Sequence, residues 1–483
     1  MKVSAKKRKV FRDRAVNFLA NKFPHFSAKN LRLEHKFSLY VIIMVIISIC
    51  VISSRTIIIQ TVLIFGNIIF LSSMSFKILL NFLGLLVIRR NSLSADEDII
   101  IDDESLPLYS ILIPLYREEN ILCNLIASIN NLDYPQNKLE IFLLLEEDDN
   151  ITINALKTFN LTKPYQILLV PYCDPRTKPK ACNYGLNFAK GEYITIYDAE
   201  DIPDRLQLKK IVSLFEKLDD SYICIQAKLN YYNREENLLS KFFSLEYSIW
   251  FEFMLPALYE LNFIIPLGGT SNHFRRKALI EVGAWDPYNV TEDAELGVRL
   301  RLMNYKTKLI NSVTLEESPI QLKSWTQQRI RWIKGYMQTY IIALLNRKHH
   351  LATISFWQII GFHFFIGLPA LTYLVSPIIL VTFLSSIAYI TDLSFIAPNI
   401  ILLSKIILLM GITLPIISAF ISMRYNNWRN MYFAVFTFSF YWILHSFASY
   451  MSVYELFFNT YYWNKTPHGI SKFLKHGKAY DKN

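Results

Sequence analysis

Apolar residues gather in two long uncharged stretches near the start of the chain, thin into short alternating runs through its middle, and gather again toward its end. Phe37 to Ser54 carries no charged residue, and Thr56 to Phe76 repeats the pattern after the single Arg55. Each is about long enough to cross a hydrocarbon core as a helix. Downstream, Leu351 to Thr391 is too long for one crossing and is punctuated by Pro369 and Pro377; Asn399 to Ile421 and Met431 to Tyr454 follow, with Lys405 and Glu455 as interruption and edge. The pattern predicts two crossings, a polar middle, then about four more. It divides the chain into a basic segment 1–36, a transmembrane hairpin 37–90, a domain 96–346, a transmembrane bundle 351–457 and a tail 458–483.

Between Asp96 and Asn346 short apolar runs alternate with longer amphipathic ones, which argues for strands and helices in turn and a mostly parallel mixed sheet. "YSILIPLYREEN" gives a strand from Tyr109 to Pro114, and "LEIFLLLEEDDN" one ending at Leu145. "YQILLVPY", "EYITIYDAED" and "SYICIQAKLNYY" give three more. The expected architecture is an α/β domain inserted between transmembrane helices.

Charge then orients the chain. Its formal net charge is +11. The opening "MKVSAKKRKVFRDR" has the composition of a nucleic-acid patch, but its place before a membrane hairpin favours positive residues held in the cytoplasm, so no nucleic-acid partner is expected. An even number of crossings puts the basic tail on the same side, with the α/β domain on the cytoplasmic face of a bacterial inner membrane. Arg424 and Arg429, in a short outer loop, run against that count. The five cysteines show no CxxC pair and read as reduced packing residues.

Three of the predicted strands end in acids: Glu118 and Glu119, Glu146 to Asp149, and Asp198, Glu200 and Asp201. Ligands of open α/β sheets bind at the carboxyl ends of strands, and acids sharing such a crevice repel one another unless a cation stands between them. Oxygen ligands without His or Cys suit magnesium or manganese bridging phosphates. Asp198 and Glu200 are the expected metal ligands, with Asp201 the alternative second one; Arg176, Lys178 and Lys180 supply cations beside them. The absence of GxxxxGK[ST] and GxGxxG argues against a nucleoside-triphosphatase or dinucleotide site and leaves a donor diphosphate.

In the order "LIPLYREE", "LLLEEDD", "KPKACN", "YDAED", "LGGTSNHFRRKAL", "NVTEDAELGVRL" and "QQRIRWIKGYMQT", the stretch from Tyr109 to Thr339 resembles the inverting, membrane-embedded family-2 glycosyltransferases that include cellulose, chitin and hyaluronan synthases. The resemblance implies a GT-A-like domain, a nucleotide-sugar donor (a UDP-sugar by analogy) and Asp293 as the catalytic base. It implies Pro114, Tyr116, Glu118, Glu147, Lys180 and Asp198 around the donor nucleotide. Thr291, Glu292, Gln328, Arg331 and Trp332 then serve the diphosphate and the acceptor. "YWNKTPHG" is similar to a gating loop, with Lys465, Thr466 and His468. Glu146–Glu147 and Asp-Ala-Glu replace the Asp-Asp and Asp-x-Asp of many relatives, lengthening the arms while keeping the charge. The implied activity is processive synthesis of a β-linked glycan passed through the bilayer, with single transfer to a lipid or short glycan as the alternative. An export partner is left unnamed by the sequence.

Overall fold

The computed structural model describes residues 4–31, 41–46, 48–49, 55–91, 102–388, 396–463, 465 and 469–472. Helices α1 (Ala5–Lys22) and α2 (Arg55–Asn91) precede the α/β domain. Eight strands follow in chain order: β1 (Tyr109–Leu115), β2 (Leu139–Glu146), β3 (Tyr165–Val170), β4 (Tyr193–Ile196), β5 (Ile202–Pro203), β6 (Tyr222–Tyr231), β7 (Asn272–Arg275) and β8 (Lys306–Glu316). They form one sheet in the order β3-β2-β1-β4-β7-β6-β8-β5. β7 runs antiparallel to β4 and β6, and β5 antiparallel to β8; the other pairings are parallel. The expected mostly parallel mixed sheet is what the chain forms.

Strand periodicity sorts the core onto two faces. Ile111 and Ile113 of β1, with Leu143 and Leu145 of β2, pack under Leu122, Ile129, Ile211 and Phe215. Leu112, Phe142 and Leu144 face the other way, toward Ala181, Trp285, Leu296 and Leu300. That second face carries α3 (Lys178–Leu186). It also receives the amino-terminal segment: Ala15 of α1 joins its core, and the Ala15 carbonyl accepts from Asn183 at 3.0 Å.

Within the domain α4 (Leu238–Ser248), α5 (Glu292–Leu302) and α6 (Leu322–Leu345) follow, and past it come α7 (Leu368–Ala388), α8 (Pro398–Tyr425) and α9 (Tyr432–Phe458). One hydrophobic cluster runs without a break from Leu229 and Tyr231 of β6 through Phe243 and Trp325 to Phe438 and Tyr441 of α9. Domain and bundle therefore share a core. Its polar rivets are the Trp325 indole donating to the Tyr441 hydroxyl at 2.9 Å and Arg329 forked onto Glu246 at 2.8 and 2.5 Å.

Among the described residues, Ile57–Arg90, Phe356–Thr382 and Pro398–Tyr425 are long and apolar enough to cross a membrane. α9 adds an outward stripe with Phe433, Phe436 and Phe440 each more than two-thirds exposed, a surface that water does not favour. Within the stretch from Leu351 to Thr391, read from sequence as too long for one crossing, residues 356–388 form one helical rod. Phe356–Phe362 continues through a wide π turn at His363–Gly367 into α7. Pro369 falls in the first turn of α7, where its missing N–H costs little, and Pro377 is carried inside the helix. The described residues after the domain thus hold three long apolar helices where about four crossings were expected. Most of Phe37 to Ser54, the first predicted crossing, lies outside the described residues.

Gly335 sets how closely α6 approaches the domain. A Cβ there would stand 2.1 Å from the Thr291 hydroxyl oxygen, so Gly335→Ala must push α6 off the start of α5. The expected cost is about 1–3 kcal/mol of stability, as for other overpacked sites. A lowered thermal midpoint together with a loss of activity checks it.

Candidate active site

The carboxyl ends of the parallel strands open into one cavity of about 1170 Å³ that continues between the long apolar helices. Ten acidic and seven basic side chains line it, so the cavity is acidic although the chain is strongly basic. Of the residues expected from sequence, Pro114, Tyr116, Glu118, Asp198, Glu200, Thr291, Glu292, Asp293, Gln328, Arg331, Trp332 and Lys465 all face it. Glu147 and Lys180 do not. Glu147 is exposed on the outer side of the β2 end, where it accepts from the Tyr172 N–H at 2.6 Å and pairs with Arg8 of α1. Its neighbour Glu146 is the one that reaches the cavity, held at 2.7 Å by buried Lys180, which stands behind it. Thr466 and His468 lie outside the described residues.

The turn after β4 is built around its own acids. Asp201 folds back to accept from the Asp198 N–H at 2.7 Å and from the Thr270 hydroxyl, leaving its other oxygen buried without a partner. Burial, then the charges of Asp198 and Glu200, push its carboxyl well above the usual range. Glu316, at the end of β8, is raised by burial and by the same three acids. Sequence reasoning passed over Glu316, because "KTKLINSVTLE" alternates too many polar residues to read as a strand; the acid pair Glu316–Glu317 at its end was the available signal.

Opposite stands the first turn of α5. Glu292 and Asp293 occupy it, where a helix amino terminus favours negative charge. Burial and then Glu292 hold Asp293 well above the ordinary carboxyl value, and one Asp293 oxygen is buried without a partner. Two cations oppose this group. Lys178, the first residue of α3, sits 2.7 Å from Asp198 and donates to the Gly269 carbonyl at 2.5 Å. Burial alone would lower it, but Asp198, Asp293 and Glu292 keep it charged. Arg331 donates to the Val290 carbonyl at 3.3 Å and lies over the Trp463 ring at 5.3 Å.

The side formed by α6 is aromatic. Trp332 carries the Arg329 guanidinium 4.6 Å above its ring and neighbours Tyr247 at 6.2 Å. The segment after α9 closes over the other side. Lys465 pairs with Glu118 at 2.7 Å and also reaches the Tyr116 carbonyl. Four residues on, Glu317 accepts three consecutive backbone N–H groups, from Gly469 at 2.6 Å, Ile470 at 2.9 Å and Ser471 at 2.7 Å.

A mixed sheet with acids at its strand ends, a basic helix start facing them and a transverse aromatic helix defines the GT-A-like class of nucleotide-sugar transferases. The profile of "Glycosyl transferase family group 2" matches residues 193–462, more than half of the chain. The chain belongs to that family. It is 26% identical over 275 residues to "Probable glycosyltransferase YdaM" of Bacillus subtilis, covering 55% of this chain and 64% of that protein. It is 28% identical over 266 residues to a "Beta-monoglucosyldiacylglycerol synthase" of Trichormus variabilis, covering 53% and 55%. The chain thus spans somewhat over half the length of these relatives. Among solved structures, a mannosyltransferase of Pyrobaculum calidifontis in complex with GDP-Man and Mn2+ superposes with a TM-score of 0.53 at 18% identity, over 80% of this chain and 99% of that one. That likeness is one of fold.

The Glu317 contacts predict a measurable anchor. Glu317→Ala leaves three N–H groups without their acceptor, a loss of about 1–3 kcal/mol. Hydrogen exchange at Gly469, Ile470 and Ser471 is expected to quicken at least tenfold while the strands of the sheet keep their protection.

Proposed function

We propose that the chain transfers a sugar from a nucleoside-diphosphate donor to a lipid-linked acceptor at the membrane surface, with inversion. The observation that carries this reading is the single cavity, which joins the crowded carboxylates to a chamber walled by Phe364, Phe365, Leu414, Pro415 and Phe438. An acceptor seated there has its reactive end among charges and its other end among apolar side chains. The glycolipid-synthase name of one relative fits the same reading.

In the proposed reaction an acceptor oxygen bonds to the anomeric carbon as the bond to the diphosphate breaks; the electron pair leaves with the nucleoside diphosphate. The acceptor's proton passes to Asp293, whose burial raises its basicity. Arg331 and Lys178 are placed to draw the departing diphosphate. Trp332 offers the acceptor sugar a flat face, and Gln328 has a buried oxygen without a partner to bond a hydroxyl. Glu118, with Tyr116 and Pro114, borders the space for the nucleoside.

The donor set fits a divalent ion, magnesium or manganese. The charges of Asp198 and Glu200 raise the proton affinity of Asp201 and Glu316, which is the electrostatic signature of a place for positive charge. Asp198 and Glu200 would hold the ion, which when bound would neutralise the diphosphate. Among the described residues no three such side chains form a ready-made cage, so oxygens of the sugar donor and water would complete its shell. The three apolar helices support a place in the bilayer, with the domain on the cytoplasmic side.

Processive polymerisation is the second reading, favoured by Lys465 reaching over the cavity from the end of α9. Product analysis across a panel of nucleotide sugars, with lipid extract as acceptor, separates the two. One sugar per lipid is expected, and long glycan free of lipid would reject it. Asp293→Asn is expected to slow transfer by about 10²–10⁴-fold, the usual worth of a general base. Because the folded protein holds the Asp293 proton to higher pH than a free carboxyl, the base form grows as pH rises. The turnover rate of wild type should therefore climb on an acid limb displaced upward from the ordinary carboxyl range, and a flat profile there would remove Asp293 from the role.

A further inference from the structure

The proposed reaction uses the outer half of the cavity, while the inner half, between α2, α7, α8 and α9, holds polar groups for which it has no task. Lys77 of α2 is the chief one. Its ammonium stands 5.1 Å from the ring centre of Trp442 and 5.6 Å from that of Tyr373, two rings stacked at 5.8 Å. Among the described residues no carboxylate lies within ion-pair distance of it, although the charge of Glu246 acts on it. One turn along α2, Asn81 donates to the Ser418 hydroxyl oxygen at 3.2 Å, which leaves that hydroxyl's own proton free to be given elsewhere. The Asn81 carbonyl oxygen and the Trp442 indole N–H are buried without partners. Lys77, Asn81, Ser418 and Trp442 line the same cavity as Asp198 and Asp293.

A lysine on a helix apolar enough to span a bilayer is costly unless it faces a partner or a substrate path. Here an ammonium, an indole N–H and a hydroxyl offer protons to the cavity, and three donors with one of them charged match an anion better than a neutral hydroxyl-bearing chain. Toward Asp293 the lining changes to Trp332, Tyr247, Gln328 and the Arg329–Glu246 pair, ring faces and hydrogen-bonding groups of the kind a sugar uses. Met74, Leu414 and Pro415 add apolar wall to the same cavity.

We propose that Lys77, with Trp442 and Ser418, binds a phosphate of the acceptor, which is a lipid whose apolar tail is joined through that phosphate to the sugar presented to Asp293. The assignment rests on the transferase reading of the outer half. It adds what that reading leaves open, the chemical class of the lipid. The order along the cavity is then donor, acceptor sugar, phosphate, tail.

The test titrates the full chain in a neutral detergent with decyl phosphate, inorganic phosphate and decyl glucoside, following tryptophan fluorescence. Decyl phosphate is expected to saturate, with inorganic phosphate at least tenfold weaker for want of a tail. Lys77→Gln should weaken decyl phosphate at least tenfold, and Lys77→Arg, which keeps the charge, should stay within about threefold of wild type. Inorganic phosphate binding as tightly as decyl phosphate would assign the site to a free anion and overturn the lipid. Decyl glucoside binding as tightly as decyl phosphate would favour a glycan path and overturn the phosphate. Undiminished binding by Lys77→Gln, or equal loss in both variants, would remove Lys77. Nucleotide release by the same preparations keeps the two readings apart. Phosphate binding through Lys77 with no release from any nucleotide sugar leaves this site standing and rejects the transferase reading, whereas release with binding indifferent to Lys77 does the reverse.

Discussion

Like charges crowded out of water are the constraint around which this chain is arranged. Asp198, Glu200, Asp201 and Glu316 converge from the ends of β4 and β8, and Glu292 and Asp293 face them from the start of α5. Left alone such a group would take up protons or push the strand ends apart. What restrains it comes from the chain itself: the Thr270 hydroxyl and a backbone N–H on Asp201, Lys178 against Asp198, and Arg331 within reach of Glu292. The restraint is partial, because buried oxygens of Asp201 and Asp293 are left over. Incomplete neutralisation is what a site for a doubly charged ion and a diphosphate requires, since full pairing would leave nothing for them to replace.

The rest of the architecture holds that cluster beside the long apolar helices. α6 is the shared wall: Gly335 lets it touch Thr291, Arg331 and Trp332 look into the cavity, and Trp325 and Arg329 bind it to α9 and α4. A second close contact does the same from the amino-terminal side. Gly84 of α2 lies against the backbone of Phe253, where an added Cβ would sit 2.2 Å from a carbonyl oxygen, so α2 is fitted to the π turn at Ile249–Met254. These approaches explain why one core cluster spans domain and bundle.

Much of this was legible along the chain, and the failures have causes. β1 and β2 announce themselves because their apolar runs serve two buried faces at once, and the acids that follow are read directly. β7 and β8 hide because "NHFR" and "KTKLINSVTLE" carry polar residues satisfied by neighbours, such as the Thr314 hydroxyl bonded to Ser271 and Gln207. The Glu146–Glu147 pair shows the limit of motif reading. Adjacent acids at a strand end point to opposite sides, and only the fold tells that Glu146 turns in toward the cavity while Glu147 turns out to Arg8. Pro369 and Pro377 read as breaks along the sequence, whereas the fold carries Pro369 just after a widened turn and Pro377 inside α7.

Charge along the cavity gives the molecule its direction. The sheet end is crowded with carboxylates, the middle holds the matched Glu246–Arg329 pair with Tyr441 bonded to the same carboxylate, and the membrane end holds Lys77. Burial of a matched pair is tolerable because each partner satisfies the other, so the middle contributes little net field. The two ends are unlike and unmatched. A cation bound at one and an anion at the other would each relieve the burial cost of the residues already there, and the neutral middle keeps the two from being drawn together. A substrate that is polar at its reactive end, neutral along a sugar and anionic next to a tail is the kind of molecule that meets all three conditions in one orientation, with its reactive end at Asp293.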